Sequence, residues 1–164
     1  MNEEPQVLYC DAWLMAIDKP AGMIVHGDGT GERTLTDYAS DLLLAMGDGF
    51  AATDMQPLNR LDRDTTGVVL FSLDKQTQPA FDQMIIDHAF EKHYLALAEG
   101  KIDWNEKLID KPIARDRHDS RKMRVGASGK PSQTRVKVLK RLKSRRGLPT
   151  RDRKSTRLNS SHLS

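Results

Sequence analysis

The chain has 164 residues, 38% of them apolar and 30% charged, with a net charge of +3. That length supports one domain around one core, and no apolar run approaches the roughly 20 residues a membrane span needs. The single cysteine, Cys10, excludes an internal disulfide, and Met1-Asn2-Glu3-Glu4-Pro5 lacks the basic and apolar regions of a signal peptide, so the expected location is the cytoplasm.

Val7-Leu8-Tyr9 and Trp13-Leu14-Met15-Ala16-Ile17 are short apolar runs around a turn, and they predict a hairpin. Asp18-Lys19-Pro20-Ala21-Gly22 ends the second strand, because Pro removes a donor and Gly permits a sharp turn. Met23 to His26 resumes the extended pattern briefly. The glycine loop Gly27-Asp28-Gly29-Thr30-Gly31 invites a phosphate reading, but it fits no phosphate-binding pattern, and Asp28 and Glu32 would repel an anion. A surface turn is the better reading. A helix is expected from Thr34 as its cap, with Asp37 near N3 and Leu35, Tyr38, Ala39, Leu42, Leu43 and Met46 at helical spacing, closed by Gly47. Asp48 to Gln56 reads as loop.

The run Asn59-Arg60-Leu61-Asp62-Arg63-Asp64-Thr65-Thr66-Gly67 precedes a strand over Val68–Leu73. A carboxylate beside guanidinium groups stays ionised and can serve as nucleophile or base. The ordinary alternative is a surface ion pair or turn cap. Leu61 and the following strand favour partial burial of the loop. A second helix is expected over about Lys75 to His88, with Phe81, Met84, Ile85 and His88 on one face. Strands are expected over Lys92–Ala98, closed by Glu99-Gly100, then over Ile109–Ala114, Met123–Val125 and Thr134–Leu139. Two helices with many short strands predict an α+β fold around a mixed, mostly antiparallel sheet flanked by helices.

Charge is unevenly spread. Met1–Leu58 holds 2 basic and 10 acidic residues, whereas Asn59–Ser164 holds 24 basic and 13 acidic. A basic half is the footprint expected for a polyanion, or else an ordinary solvated face. The asymmetry survives removal of Arg151–Ser164. Five scattered histidines and one cysteine argue against a metal site, and no Gly-x-Ser-x-Gly elbow supports a serine hydrolase. A carboxylate pair at Asp62 and Asp64 would struggle to ionise both members at so short a spacing.

Four motifs, in order, resemble the RluA-type RNA pseudouridine synthases (the RluA, RluC and RluD group). They are the hairpin through Asp18-Lys19-Pro20-Ala21-Gly22, the Asn59–Gly67 signature, the strand around Lys92-His93-Tyr94-Leu95-Ala96, and Gly129-Lys130-Pro131-Ser132-Gln133-Thr134. The resemblance covers Val7 to about Leu142. It implies the pseudouridine synthase catalytic fold and isomerisation of uridine to pseudouridine in RNA. Asp62 is then the catalytic carboxylate, and Tyr94 stacks on the flipped uracil. Arg60, Arg63, Lys92 and Lys130 contact RNA. The implied partner is structured RNA, ribosomal or transfer, acted on by a monomer with no membrane, cofactor or metal. The alternative is a fragment that binds RNA without chemistry.

Two features depart from the family pattern. Asn59 stands where the family usually has His. The Thr-Gly-Arg-Thr-His-Gln-Ile-Arg block expected after the Gly-Lys-Pro segment has no counterpart. The expectation is therefore an incomplete catalytic domain over residues 1–146, poorly stable and inactive by itself, with no room for a preceding S4 domain. Residues 147–164 are expected to form a basic, disordered tail. Its Arg153–His162 stretch resembles translated adapter sequence rather than native protein.

Overall fold

The computed structural model describes residues 4–47, 54–98, 100–119 and 122–142, and the backbone of 156–163. The chain divides into two compact units, Met1–Asp87 and His88–Ser164.

In the first unit, β1 (Gln6–Cys10) and β2 (Leu14–Lys19) form the expected hairpin. Asp11 makes its turn: one carboxylate oxygen accepts from the backbone N–H groups of Trp13 and Leu14, each at 2.8 Å. Those bonds and the Tyr9 hydroxyl, which donates to the other oxygen at 2.7 Å, hold the Asp11 carboxyl below its ordinary value, the Tyr9 bond most of all. Helix α1 (Leu35–Met46) starts at a capping box in which Thr34 and Asp37 satisfy each other's backbone donors. The short β3 (Gln56–Pro57) and then β4 (Gly67–Ser72) complete a sheet ordered β1-β2-β4-β3. Helix α2 (Gln78–Ile86) closes the unit.

The core follows from two periodicities. Met15 and Ile17 point to one face of β2 and pair with Phe71 and Val69 of β4. Leu35, Ala39 and Leu43, four residues apart on α1, cover that face, and Val25, Met55 and Leu73 fill its margins. Burying a side chain of this size contributes about 1.5–3 kcal/mol. The expected stripe on α1 is narrower than its spacing suggested, because Met46 remains exposed.

In the second unit, β5 (Tyr94–Ala98), β6 (Glu106–Asp110) and β9 (Gln133–Arg141) belong to a second sheet, and β7 (Ile113–Arg115) with β8 (Met123–Val125) makes a separate hairpin. The fourth member of the second sheet, β10 (Thr156–Leu163), lies between β5 and β9 in the order β5-β10-β9-β6.

Several expectations are corrected. The strands fall into three sheets rather than one, and every pairing among the described residues is antiparallel. Met23–His26 is not a strand. Ile109–Ala114 is broken at Lys111-Pro112, where proline removes a ladder donor. Helix α2 starts at Gln78 rather than Lys75, with Pro79 in its first turn, and has no fully buried residue. Thr156–Leu163, expected to be disordered, is a paired strand. β5 and β9 each offer a row of backbone donors and acceptors, and the inserted strand pairs with both. The rest of that tail, together with 48–53, Glu99, 120–121 and 143–155, lies outside the described residues.

Candidate active site

The signature folds as a loop between β3 and β4, fastened at three points. Asn59 is the first. Its amide donates to the carbonyl of Val68 at 3.1 Å, and its side-chain oxygen accepts from the N–H of Leu70 at 2.8 Å. The side chain thus imitates one more residue of the β3–β4 ladder, after the backbone bond from Leu58 N–H to Leu70 carbonyl. Leu61 is the second: it packs against the core cluster. The third is a tight turn over Asp62–Thr65, closed by the Thr65 N–H donating to the Asp62 carbonyl at 3.0 Å. Gly67, at φ 125°, leaves the loop in a conformation that side chains disfavour.

The Arg63 carbonyl is where the loop meets the rest of the unit. It accepts from the backbone N–H of Gly22 at 2.9 Å and from Nζ of Lys19 at 2.9 Å. Lys19 is completely buried, and its ammonium also donates to the carbonyls of Pro20 (2.9 Å) and Met23 (2.7 Å). Three donors thus meet three acceptors. Burial pushes the Lys19 amine down from its ordinary value, while the nearby Asp64 and Asp62 carboxylates oppose that shift. In the sequence Lys19 stands at the end of a strand and within the Asp18–Gly22 motif, with nothing in that motif to mark it as buried. The missed signal was a lysine closing a run whose neighbours point into the core.

The Arg63 guanidinium is also engaged. It donates to Glu32 Oε2 at 2.5 Å and reaches the Gly22 carbonyl at 3.5 Å, with the Asp28 carboxylate at 3.8 Å. The Glu32 bond, first among the causes, holds the Arg63 guanidinium above its ordinary value. The loop that sequence reading set aside as a surface turn therefore grips the signature.

Asp62 itself is exposed, against the expected partial burial. Among the described residues no hydrogen bond or ion pair holds its carboxylate, and Arg60 is likewise exposed. The loop backbone is fixed while the carboxylate on it is left open, an arrangement suited to a group that must meet a partner from outside.

Arg60, Asp62 and Arg63 are thus brought together on one loop of the first unit. Tyr94, at the head of β5, and Lys92, just before it, belong to the second unit, and both are half-buried. Lys130, in the same unit, is exposed and sits opposite Ile113 in an isolated bridge. Its neighbour Gly129 is required sterically: a Cβ there would lie 2.4 Å from the Ile113 carbonyl carbon. Among the described residues no group of three or more His, Cys, Asp or Glu is placed to hold a metal ion, and no helix is long and apolar enough to cross a membrane.

The fold is that of pseudouridylate synthase domains. It superposes on human RNA pseudouridylate synthase domain containing 4 and on human RNA pseudouridylate synthase domain containing 1, each with a TM-score of 0.69. Sequence identities are 22% and 23%; the matches cover 96% and 99% of this chain, and 59% and 60% of those chains. The RNA pseudouridylate synthase family matches residues 14–159, and the chain belongs to that family.

Relatives include the uncharacterized RNA pseudouridine synthase YhcT of Bacillus subtilis, 29% identical over 137 residues. Ribosomal large subunit pseudouridine synthase D of Nitrosomonas europaea is 32% identical over 141 residues, and synthase C of Escherichia coli 32% over 137. These matches cover 83%, 83% and 82% of this chain but 44%, 39% and 41% of the relatives, so the chain spans about two fifths of their length. The family agrees with the resemblance carried by the four motifs.

Proposed function

We propose that the chain carries the catalytic carboxylate of an RNA pseudouridine synthase that acts on ribosomal RNA in the cytoplasm. The single observation that supports this most is the Asp62 turn: its backbone is anchored through Arg63 to Lys19 and Gly22, and among the described residues no hydrogen bond or ion pair engages its carboxylate. The names of the synthase C and synthase D relatives point to large-subunit ribosomal RNA as the substrate.

The reaction is an isomerisation. The bond from uracil N1 to ribose C1′ breaks, the base turns, and C5 bonds to C1′. The proton on C5 leaves to solvent and N1 gains one, so nothing is oxidised, reduced or transferred to another molecule. Asp62 acts either as nucleophile at the sugar or as the base that removes a sugar proton. Tyr94 stacks on the uracil and receives the C5 proton. Extruding the base from its stack costs roughly a few kcal/mol, and stacking on an aromatic ring returns about 1–3 kcal/mol. Arg60 helps to displace or hold the flipped nucleotide, and Lys92 and Lys130 contact the RNA.

The test is release of tritium from ribosomal RNA labelled at uridine C5, measured with a completed, full-length parent of this chain. Release to water is the expected result. Salt-sensitive RNA binding without release would overturn catalysis and leave RNA binding alone.

A further inference from the structure

The acidic loop before α1 has no part in the chemistry above, yet it makes the closest side-chain contact to the signature. Arg63 follows Asp62 directly. Its carbonyl is held from the interior by Lys19, and its guanidinium is held from outside by Glu32 at 2.5 Å and Asp28 at 3.8 Å. Its guanidinium hydrogen bonds go to the Glu32 carboxylate and the Gly22 carbonyl.

The holders are themselves fixed. Glu32 lies two residues before Thr34, the buried cap of α1. At the other end of the loop, the carbonyls of Ile24 and Val25 accept from the N–H groups of Leu35 and Thr36 at 2.9 and 3.1 Å, and the Thr36 hydroxyl donates to Val25 at 2.7 Å. Both ends of the loop are therefore pinned to the start of a helix whose Leu35, Ala39 and Leu43 lie in the core. Asp28 also accepts from the Thr30 hydroxyl at 2.6 Å and from its N–H at 3.1 Å, which shapes the loop from within. A carboxylate mounted this way gives the guanidinium a fixed partner, whereas phosphates on a moving RNA do not.

We propose that Glu32, helped by Asp28, is a positioning residue for the reaction: it clasps Arg63 and so orients the turn that presents Asp62, and Arg63 is a structural arm of that turn rather than a phosphate contact. This rests on the reading of Asp62 as the reacting group. It also reassigns Arg63, which sequence reading placed among the RNA ligands.

The test uses the full chain in three variants, Glu32→Gln, Arg63→Gln and the double variant, with amide hydrogen exchange read at Thr65 and Gly22, whose N–H groups close the turn and bind Arg63. Each single variant is expected to speed that exchange about two- to fivefold, the range of a half-exposed ion pair, and the double variant to add nothing. RNA affinity of Arg63→Gln is expected to keep the wild-type salt slope, and tritium release by the full-length parent to lose kcat about two- to fivefold in Glu32→Gln with KM unchanged. The charge exchange Glu32→Arg with Arg63→Glu should restore slow exchange. Glu32 is exposed, so its substitution leaves folding intact should Arg63→Gln prove unstable. Additive effects, unchanged exchange in Glu32→Gln, or a salt slope reduced by about one phosphate in Arg63→Gln would overturn the clasp. Absence of tritium release from the wild-type full-length parent would instead sink the reading of Asp62, and the exchange data would still decide the clasp.

Discussion

Nζ of Lys19 lies 2.9 Å from the carbonyl oxygen of Arg63, a residue 44 positions further along the chain. That bond ties the end of β2 to the turn that presents Asp62. The same ammonium satisfies Pro20 and Met23, so one buried charge organises two loops. Lys19→Met would keep the stem and remove all three donors, taking the ammonium from the Pro20 and Met23 carbonyls and leaving the Arg63 carbonyl with the Gly22 N–H. The expected loss is about 3 kcal/mol, read as a lower urea midpoint. Lys19→Arg should not restore it, because a planar fork does not match three converging carbonyls.

Asn59 completes the β3–β4 edge with two bonds to the backbone. Asn59→Ala removes both and is expected to cost about 1–2 kcal/mol. It should also speed amide exchange at Leu70 while leaving the α1 amides unchanged, which an exchange measurement by NMR would show.

The capping box gives a pH signature. Thr34 bonds hold the Asp37 carboxyl below its ordinary value of 3.8. A carboxyl depressed in the folded state contributes stability that is fully present above 3.8 and is lost as the pH falls through its folded value. Thr34→Ala is therefore expected to cost about 1 kcal/mol at neutral pH. The gap between wild type and Asp37→Ala should narrow as the pH drops below 3.8, as measured by thermal melts across an acid series.

Gly129 has no room for a methyl group against the backbone of Ile113. Gly129→Ala would force apart the bridge in which Ile113 and Lys130 exchange N–H to carbonyl bonds at 2.9 Å. The expected cost is about 1–3 kcal/mol, with faster exchange at the Lys130 amide.

How much of this was legible in the sequence depended on distance along the chain. Thr34 and Asp37 are three apart, so their mutual cap could be read directly. The apolar run Val68-Val69-Leu70-Phe71 placed β4, and the arginine-flanked Asp62 marked the loop of interest. The clasp was not legible, because Glu32 and Arg63 are 31 residues apart and only the fold joins them. Lys19 was hidden for the same reason: a lysine reads as surface until three carbonyls are seen to converge on it. The exposure of Asp62 was misjudged because its neighbour Leu61 packs inward while the turn carries the carboxylate outward. Thr156–Leu163 has no apolar periodicity to announce a strand, and its pairing answers the backbone demand of β5 and β9.

The central claim is that the Asp62 carboxylate does the chemistry on a turn held by other groups. The direct measurement is tritium release from C5-labelled ribosomal RNA by the full-length parent, wild type and Asp62→Asn, with melting temperatures recorded for both. Asp62→Asn is expected to lose at least about a hundredfold in rate at an unchanged melting temperature, because the bond closing the turn uses the Asp62 backbone carbonyl rather than its side chain. Release at the wild-type rate by Asp62→Asn would contradict it.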